Sequence, residues 1–171
     1  FFWQLLWENE ADQIVMLCEL EEYGKESCFP YWNSDKVTLL SEEWPSEKLQ
    51  IRKFLLRHEG NERIVTHYWV RHWPDRSIIS QEKVRELVER IIKDKHSNTP
   101  IVIHCRAGVG RTGTVITAYT ISKRGPQNLF EIVSKLRCQR PYMVGDFAQY
   151  KFCHDYNEFS KASLYMRENE D

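Results

Sequence analysis

The chain has 171 residues, 42% of them hydrophobic and 13% aromatic, which is enough for one globular domain with a sizeable core. Its 24 basic and 25 acidic side chains leave a net charge of -1, which excludes the broad basic surface that binds nucleic acid or an anionic membrane. No apolar run reaches transmembrane length, and the start FFWQLLW is too short for a signal peptide and lacks its basic flank.

The cysteines and histidines follow no metal-binding or disulfide pattern. The five cysteines are widely spaced, odd in number and without a C-x-x-C pair, which predicts free thiols in a reducing compartment, cytosolic or nuclear: Cys18, Cys28, Cys105, Cys138 and Cys153. The six histidines are scattered and match neither H-E-x-x-H nor a cysteine-histidine zinc pattern. We therefore expect no metal.

The first half of the sequence predicts a helix followed by strands. FFWQLLWENEA carries apolar residues at helical spacing, which indicates a short, largely buried helix. QIVMLCEL, residues 13–20, is an apolar run of strand length. KVTLL, KLQIRKFLLRH and RIVTHYWV follow as further strands, and we expect Gly60 and Asn61 to form the hairpin turn between the last two.

The second half predicts a strand among helices. PIVI, residues 100–103, has the composition of a short buried strand. Four helices are predicted: one behind Ser80 that ends near Lys95, one from Arg111 to Lys123, one behind the capping-box pair Asn128 and Glu131, and one from about Asp146 towards Ser160. This order of elements predicts an α/β fold in which helices flank a mixed central sheet.

The stretch IVIHCRAGVGRTGTVITAY, residues 101–119, joins a predicted strand to a predicted helix through three glycines. From Gly108 to Gly113 it matches the G-x-G-x-x-G of a dinucleotide-binding loop. That interpretation needs an acidic residue about 20 positions later at the end of a second parallel strand, and the nearest candidate, Glu131, lies in a predicted helix. A Walker-type loop fails as well, because Thr114 rather than lysine follows Gly113.

A cysteine-based phosphate loop accounts for more of these residues. The glycines let successive backbone N–H groups point at one phosphate, and the following helix adds its positive end. Cys105 at the base of such a loop would be stabilised as a nucleophilic thiolate, and Arg111, six positions later, could hold two phosphate oxygens. An inert buried cysteine after a strand would leave Arg111 and the glycines unexplained.

The segment HCRAGVGRTG, residues 104–113, resembles the signature of the tyrosine-specific protein phosphatases, with Arg106 where a serine is usual. FFWQLLWE, LCELEEYGKESCFPYW, HYWVRHWPD and LRCQRPYMVGDFAQYKF resemble further segments of that family in the same order, whereas dual-specificity phosphatases share only the loop. The resemblance implies the fold of these cysteine phosphatases, shortened at the N-terminus, with residues 1–171 as a single catalytic domain that forms the C-terminal portion of the family's full domain.

The resemblance also implies the roles of the reacting residues. Cys105 is the nucleophile, and Arg111 holds the phosphate. Asp75, in the mobile segment Trp73-Pro74-Asp75, protonates the leaving tyrosyl oxygen; a phenolate with a pKa of about 10 leaves poorly without a proton.

Further positions match supporting residues of the family. Thr112 corresponds to the hydroxyl that helps the cysteine leave, and His104 to a residue that buttresses the loop. Glu22 corresponds to a glutamate that orients the signature arginine, and Gln149 to one of two water-positioning glutamines. The resemblance further implies that substrate binding involves Asp75, Gln149 and the loop residues Arg106, Ala107, Gly108, Val109, Gly110 and Arg111.

Several positions depart from the family's pattern. Gly145 stands where the family has its first water-positioning glutamine. Ser27 stands where the family has a lysine that meets the segment carrying the acid Asp75. Arg76-Ser77 stand where the family usually has another residue followed by glycine. The family's upstream part, which carries a substrate-stacking tyrosine, has no counterpart in these 171 residues.

Two functions follow from this resemblance. The leading hypothesis is a phosphatase that hydrolyses phosphotyrosine in protein substrates through a phosphocysteine intermediate, without metal or cofactor. The alternative is a pseudophosphatase that binds phosphotyrosine with little or no turnover. Both hypotheses place the chain in cytoplasmic signalling, by itself or as the cytosolic part of a larger or membrane-anchored protein. Its partners are phosphotyrosine proteins, and this segment contacts neither nucleic acid nor membrane.

Overall fold

The computed structural model describes residues 1–95 and 98–168. Its elements in chain order are α1 (Phe2–Glu8), β1 (Gln13–Met16), β2 (Glu21–Glu22), β3 (Lys25–Glu26), β4 (Val37–Ser46), β5 (Leu49–His58), β6 (Asn61–Val70), α2 (Gln81–Lys93), β7 (Ile101–His104), α3 (Gly110–Arg124), α4 (Leu129–Gln139) and α5 (Phe147–Glu168). Among the described residues, no helix combines the length and the apolar character needed to cross a bilayer.

The chain divides into two compact units. The first consists of Phe1–Pro74 and Lys95–Arg106 and contains α1 and all the strands described above. The second consists of Asp75–Asp94 and the chain from Ala107 onwards and contains α2 to α5.

The main sheet of the first unit has the strand order β4-β5-β6-β1-β7. Strand β1 lies parallel to both β6 and β7, whereas β4, β5 and β6 pair in antiparallel fashion. A two-stranded ribbon of β2 and β3 follows β1. The predicted α/β class with a mixed sheet is therefore confirmed.

Helix α1 covers one end of this sheet with aromatic and aliphatic side chains. Trp3 and Leu6 are buried and belong to a cluster that also includes Ala11, Ile14, Val37, Phe54, Leu56 and Val65. Complete burial of a side chain such as Leu6 contributes about 1.5–3 kcal/mol. The indole Nε1 of Trp3 donates to the carbonyl of Tyr31 at 2.8 Å, so that the segment after β3 is held against α1.

Helix α3 is the central element of the second unit. It packs against α2, α4 and α5, and its buried positions occur on all sides: Arg111, Thr112, Gly113, Thr114, Val115, Thr117, Ala118 and Ile121. The helical spacing of Val84, Leu87, Val88, Ile91 and Ile92 predicts the buried face of α2, and all of them except the partly exposed Ile92 are buried. The first turn of α3 is consequently fixed by packing along the whole helix.

Element boundaries differ from the prediction where backbone pairing outweighs the apolar pattern. Strand β1 stops at Met16, opposite the end of its partner β7 at His104, although the apolar run continues and the N–H of Leu17 still donates to the carbonyl of His104. The hairpin turn lies at Glu59 and Gly60, which both have positive φ, and Asn61 begins the next strand. At the start of α4, the side chain of Asn128 accepts from the N–H of Phe130 and so caps the helix. Glu131 accepts from the side chain of Asn128 and not from its backbone N–H, so the predicted capping box is only half formed.

Candidate active site

The predicted site residues belong to both units of the chain. The first unit contains Glu22, Trp73, Pro74, His104, Cys105 and Arg106. The second contains Asp75, Ala107, Gly108, Val109, Gly110, Arg111, Thr112 and Gln149. The motif that begins at His104 therefore starts at the end of β7 and continues into the first turn of α3.

In the second unit, the structure brings Asp75 and Arg111 together. Nη2 of Arg111 donates to Oδ1 of Asp75 at 3.2 Å. The Arg111 side chain is completely buried, whereas one third of the Asp75 side chain is exposed. A buried guanidinium strongly favours an anionic partner, and its planar fork suits a carboxylate or a phosphate.

The loop before α3 is fastened to α4 and to the segment after it. Nη2 of Arg140 donates to the carbonyl of Ala107 at 3.0 Å. The carbonyl of Val109 accepts from the N–H groups of Gly113 at 2.9 Å and Val144 at 3.2 Å. The first N–H groups of a helix have no partner within that helix, so the start of α3 presents donors and a positive dipole end.

Two glycines in the motif permit close approach of neighbouring groups. A Cβ at Gly113 would lie 2.4 Å from the backbone nitrogen of Val144, and one at Gly110 would lie 2.9 Å from Oε1 of Gln149. Real Cβ atoms essentially never come so close to another heavy atom. Gly113 is therefore needed where α3 meets the segment that leads to Gln149, because its neighbour is backbone, whereas a Cβ at Gly110 would have to displace the end of the Gln149 side chain.

Gln149 is buried and held by short-range contacts. Its Oε1 accepts from the N–H of Gly145 at 3.0 Å, and its own N–H donates to Oδ1 of Asp146 at 3.0 Å. Its Nε2 lies 3.5 Å from the carbonyl of Ser77, two residues after Asp75. The predicted water-positioning amide is thus beside the loop glycines and the segment that carries the predicted acid.

Arg137 holds the turn before Gln149 in a strained conformation. Val144 has a φ of +57°, which is uncommon for a β-branched residue. Arg137 donates from Nε to the carbonyl of Met143 at 2.9 Å and from Nη2 to that of Val144 at 3.0 Å. These two bonds compensate for the strain and keep Gly145 in place.

In the first unit, His104 ends a chain of buried hydrogen bonds. Nη2 of Arg52 lies 3.3 Å from Nδ1 of His67, and Nε2 of His67 lies 2.7 Å from the hydroxyl of Tyr31. That hydroxyl lies 2.9 Å from Nε2 of His104. Because a guanidinium can only donate, Nδ1 of His67 accepts, Nε2 of His67 donates to Tyr31, and the tyrosine donates to His104.

Burial keeps both histidines of this chain neutral. It lowers the pKa of His67 well below 6.5, and the Arg52 charge adds to the effect. Burial also lowers the pKa of His104, against a smaller opposite effect of a hydrogen bond with the Cys105 backbone. Cys105 itself is buried directly after β7. The chain from Arg52 therefore fixes the ring next to the predicted nucleophile.

The segment before Asp75 is anchored by Glu19. Its carboxylate accepts from Nε of Arg71 at 2.9 and 3.1 Å and from the N–H of His72 at 2.7 Å. Trp73 is buried in the same unit. Glu22, the predicted orienting glutamate, is buried and accepts from the Ser27 hydroxyl at 3.2 Å. Ser27, which stands where the family has a lysine, therefore contacts a predicted site residue.

Several residues that shape the site were missed by the sequence reasoning: Glu19, Tyr31, His67, Arg137 and Arg140. Each lies outside the signature and contacts it, or a neighbouring site segment, through side chains or backbone carbonyls far away in sequence. The only available signal was that the segments which contain them, LCELEEYGKESCFPYW, HYWVRHWPD and LRCQRPYMVGDFAQYKF, resemble family segments.

Comparisons with known proteins point to one family. The family model for protein-tyrosine phosphatase matches residues 1–157. Receptor-type tyrosine-protein phosphatases epsilon and alpha from Homo sapiens are 34% and 36% identical to the chain, and each alignment covers 90% of it. Tyrosine-protein phosphatase Lar from Drosophila melanogaster is 34% identical over the same share.

Solved structures show the same fold. The crystal structure of the catalytic domain of human protein tyrosine phosphatase non-receptor type 18 superposes with a TM-score of 0.84 at 29% identity, covering 91% of this chain and 62% of that one. The chain spans only 25% and 21% of the length of the epsilon and alpha receptors. With a family model matched over most of its length, the chain belongs to the protein-tyrosine phosphatase family.

Proposed function

We propose that residues 1–171 act as one catalytic domain that hydrolyses phosphotyrosine in proteins through a phosphocysteine on Cys105. The observation that carries this proposal is the pairing of Asp75 with the buried Arg111 at the first turn of α3. An acid and a phosphate-binding guanidinium side by side are what the reaction needs around a phosphoryl group. No metal or cofactor takes part in the proposed reaction.

In the first step, the Cys105 thiolate attacks phosphorus while the bond from phosphorus to the tyrosyl oxygen breaks. Asp75 gives its proton to that oxygen, so tyrosine leaves as a neutral phenol. Arg111 and the backbone N–H groups of residues 106–110 hold the phosphoryl oxygens and their developing charge. His104 supports the loop from behind.

In the second step, water attacks the phosphocysteine. Asp75 now accepts a proton from this water, and the sulfur–phosphorus bond breaks to release phosphate and the Cys105 thiolate. Thr112 donates a hydrogen bond to the departing sulfur. Gln149 orients the water through its side-chain amide, and Gly145 contributes no side chain to that task.

The substrate class follows from relatives with bound peptides. A structure of the non-receptor type 18 phosphatase in complex with HER2 phosphopeptides has a TM-score of 0.87 to this chain. We transfer phosphotyrosine in a protein as the substrate, and signalling as the setting. The mechanism requires a free thiol at Cys105, and the five cysteines are all thiols, which supports a reducing, cytoplasmic location.

Turnover of a phenyl phosphate by the purified chain, with a chelator present, tests this function. We expect release of phenol and phosphate that Cys105→Ser abolishes, since that variant keeps Arg111 and loses the nucleophile. A folded wild-type chain that binds vanadate without turning over the substrate would contradict the proposal and support the pseudophosphatase instead.

A further inference from the structure

The first unit brings together two cysteines and a histidine that are far apart in sequence. One ligand atom from each of Cys18, Cys28 and His104 lies within 4.8 Å of the other two. A tetrahedral zinc ion with bonds of about 2.3 Å to sulfur and about 2.0–2.1 Å to nitrogen needs ligand atoms about 3.5–3.8 Å apart. Small movements of the three side chains would therefore bring their ligand atoms to the distances that zinc requires.

The backbones that carry the two cysteines are already fixed. The indole Nε1 of Trp69 donates to the carbonyl of Cys18 at 2.8 Å, and the N–H of Cys28 donates to the carbonyl of Leu20 at 3.2 Å. Cys18 is buried, whereas Cys28 and His104 are partly exposed, so an ion has a route of entry. A site whose ligands are held in advance loses little conformational entropy on binding.

The chemical state of these ligands also suits a metal. Nε2 of His104 accepts from the Tyr31 hydroxyl at 2.9 Å and therefore has a lone pair, and thiols release their protons when they bind a metal. Two neighbouring thiolates repel each other, and a divalent cation bound between them removes that repulsion.

We propose that Cys18, Cys28 and His104 form a binding site for a borderline-soft divalent cation, with zinc as the expected ion. Two thiolates and one imidazole are the donors that zinc prefers, and carboxylate-preferring ions such as magnesium and calcium are disfavoured. The fourth position is left for water or for the Tyr31 hydroxyl.

The site has a consequence for the neighbouring loop. The lone pair on Nε2 of His104 now accepts from Tyr31 at 2.9 Å, so a cation on that nitrogen replaces the hydrogen bond. His104 directly precedes Cys105, and the replaced bond is the last link of the chain from Arg52. Zinc at this site therefore alters the support of the nucleophile loop.

Cobalt titration of the Cys105→Ser chain, kept reduced with a phosphine, tests the site without relying on turnover. We expect a thiolate-to-cobalt charge-transfer band, intense visible bands of tetrahedral cobalt, and displacement of cobalt by one equivalent of zinc. Adding Cys18→Ser or Cys28→Ser should abolish these bands. Adding Cys138→Ser, at an exposed cysteine on α4, should leave them unchanged.

A second readout guards against variants that merely unfold. Zinc should raise the melting temperature of the Cys105→Ser chain and of its Cys138→Ser derivative, but not that of the Cys18→Ser derivative. Circular dichroism without metal establishes that each variant is folded. Absence of the charge-transfer band in the folded parent, or equal bands with and without Cys18, would overturn the proposed site.

The effect of zinc on the nucleophile loop is measured as inhibition of turnover in the chain with Cys105 intact. This experiment rests on the proposed phosphatase function. The free zinc concentration that halves turnover should rise at least about tenfold in Cys18→Ser and stay unchanged in Cys138→Ser. Equal inhibition of both variants would overturn the coupling between this site and the loop.

Discussion

Oδ1 of Asp75 lies 3.2 Å from Nη2 of the completely buried Arg111. The proposed acid and the proposed phosphate-binding group are thus each other's partners before substrate arrives. A phosphate dianion that reaches Arg111 must compete with Asp75 for the guanidinium.

Asp75→Ala should lower kcat by about 10²- to 10⁴-fold for phenyl phosphate and much less for an ester with an acidic leaving group. The phenolate needs the proton, whereas a stable anion leaves without it. Steady-state kinetics on the two esters checks this, with Asp155→Asn on exposed α5 as the control. Equal losses on both esters would mean that Asp75 is not the acid.

The same substitution should tighten binding of inorganic phosphate. Removing Asp75 removes the competing anion at Arg111, and a partly exposed ion pair is worth up to about 1 kcal/mol, or about fivefold in affinity. The inhibition constant for phosphate, measured with the acidic-leaving-group ester, should therefore fall in Asp75→Ala. An unchanged or higher constant would contradict competition between the two anions.

Gly145 should make the second chemical step slow. The N–H of Gly145 holds Gln149, but no side-chain amide at position 145 helps to position the water. Rapid mixing should show a burst of phenol before a slow steady state, because phosphocysteine accumulates. A Cβ at position 145 meets only ordinary contacts of 3.6 Å, so Gly145→Gln should fit, raise kcat and shrink the burst.

Gly145→Ala is the matched control, since it adds the Cβ without the amide and should retain the burst. A wild-type chain that turns over without any burst, and that gains nothing from glutamine, would show that water positioning at this residue does not limit the rate.

Gly113→Ala should destabilise the fold. Its Cβ would lie 2.4 Å from the backbone nitrogen of Val144, and relief of such overpacking costs about 1–3 kcal/mol. Gly145→Ala, next to Val144 and with only ordinary contacts for its Cβ, should change the free energy of unfolding by less than about 0.5 kcal/mol. Urea unfolding of both variants provides the comparison, and equal stabilities would contradict the close packing of α3 against this segment.

Stability should fall as the pH drops below 6.5. The pKa of buried His67 is well below 6.5 in the folded chain, so the unfolded chain binds more protons between the two values. One such group changes the free energy of unfolding by up to about 1.4 kcal/mol per pH unit, and His104 acts in the same direction. Above pH 6.5 both histidines are neutral in the folded and in the unfolded chain, so the free energy of unfolding no longer depends on pH through them.

Urea unfolding from pH 8 to pH 5 measures this slope. His67→Gln should be less stable at pH 7.5 but should show a shallower decline below pH 6.5, whereas His154→Asn, on an exposed position, should keep the wild-type slope. A wild-type chain with no decline below pH 6.5 would contradict the burial of neutral His67.

The sequence predicted the fold well where apolar residues recur regularly. The buried face of α2 follows from the helical spacing of its apolar residues, and the core position of QIVM follows from a continuous apolar run. Strand β4 continues to Ser46 through exposed polar residues, because its partner β5 supplies backbone hydrogen bonds that leave no apolar signal. Pairing of this kind is invisible to a pattern based on hydrophobicity.

The site was predictable where its residues are consecutive. Cys105, Arg111 and the glycines between them fall within one short motif. Arg140 reaches Ala107 from 33 positions away, and Cys18 approaches His104 only because β1 and β7 are neighbouring parallel strands. Spacing rules for metal or phosphate sites assume local ligands, so they cannot detect groups that the sheet topology brings together.

A phosphoryl group on Cys105 is the central claim, and acid-quenched mass spectrometry tests it most directly. The wild-type chain should be mixed with excess phenyl phosphate, quenched within the first turnover and digested. The account predicts a peptide containing Cys105 that carries one phosphoryl group, present during turnover, absent before substrate and absent in Cys105→Ser. Turnover with an unmodified Cys105 at every quench time, or with the phosphoryl group on another residue, would contradict the account.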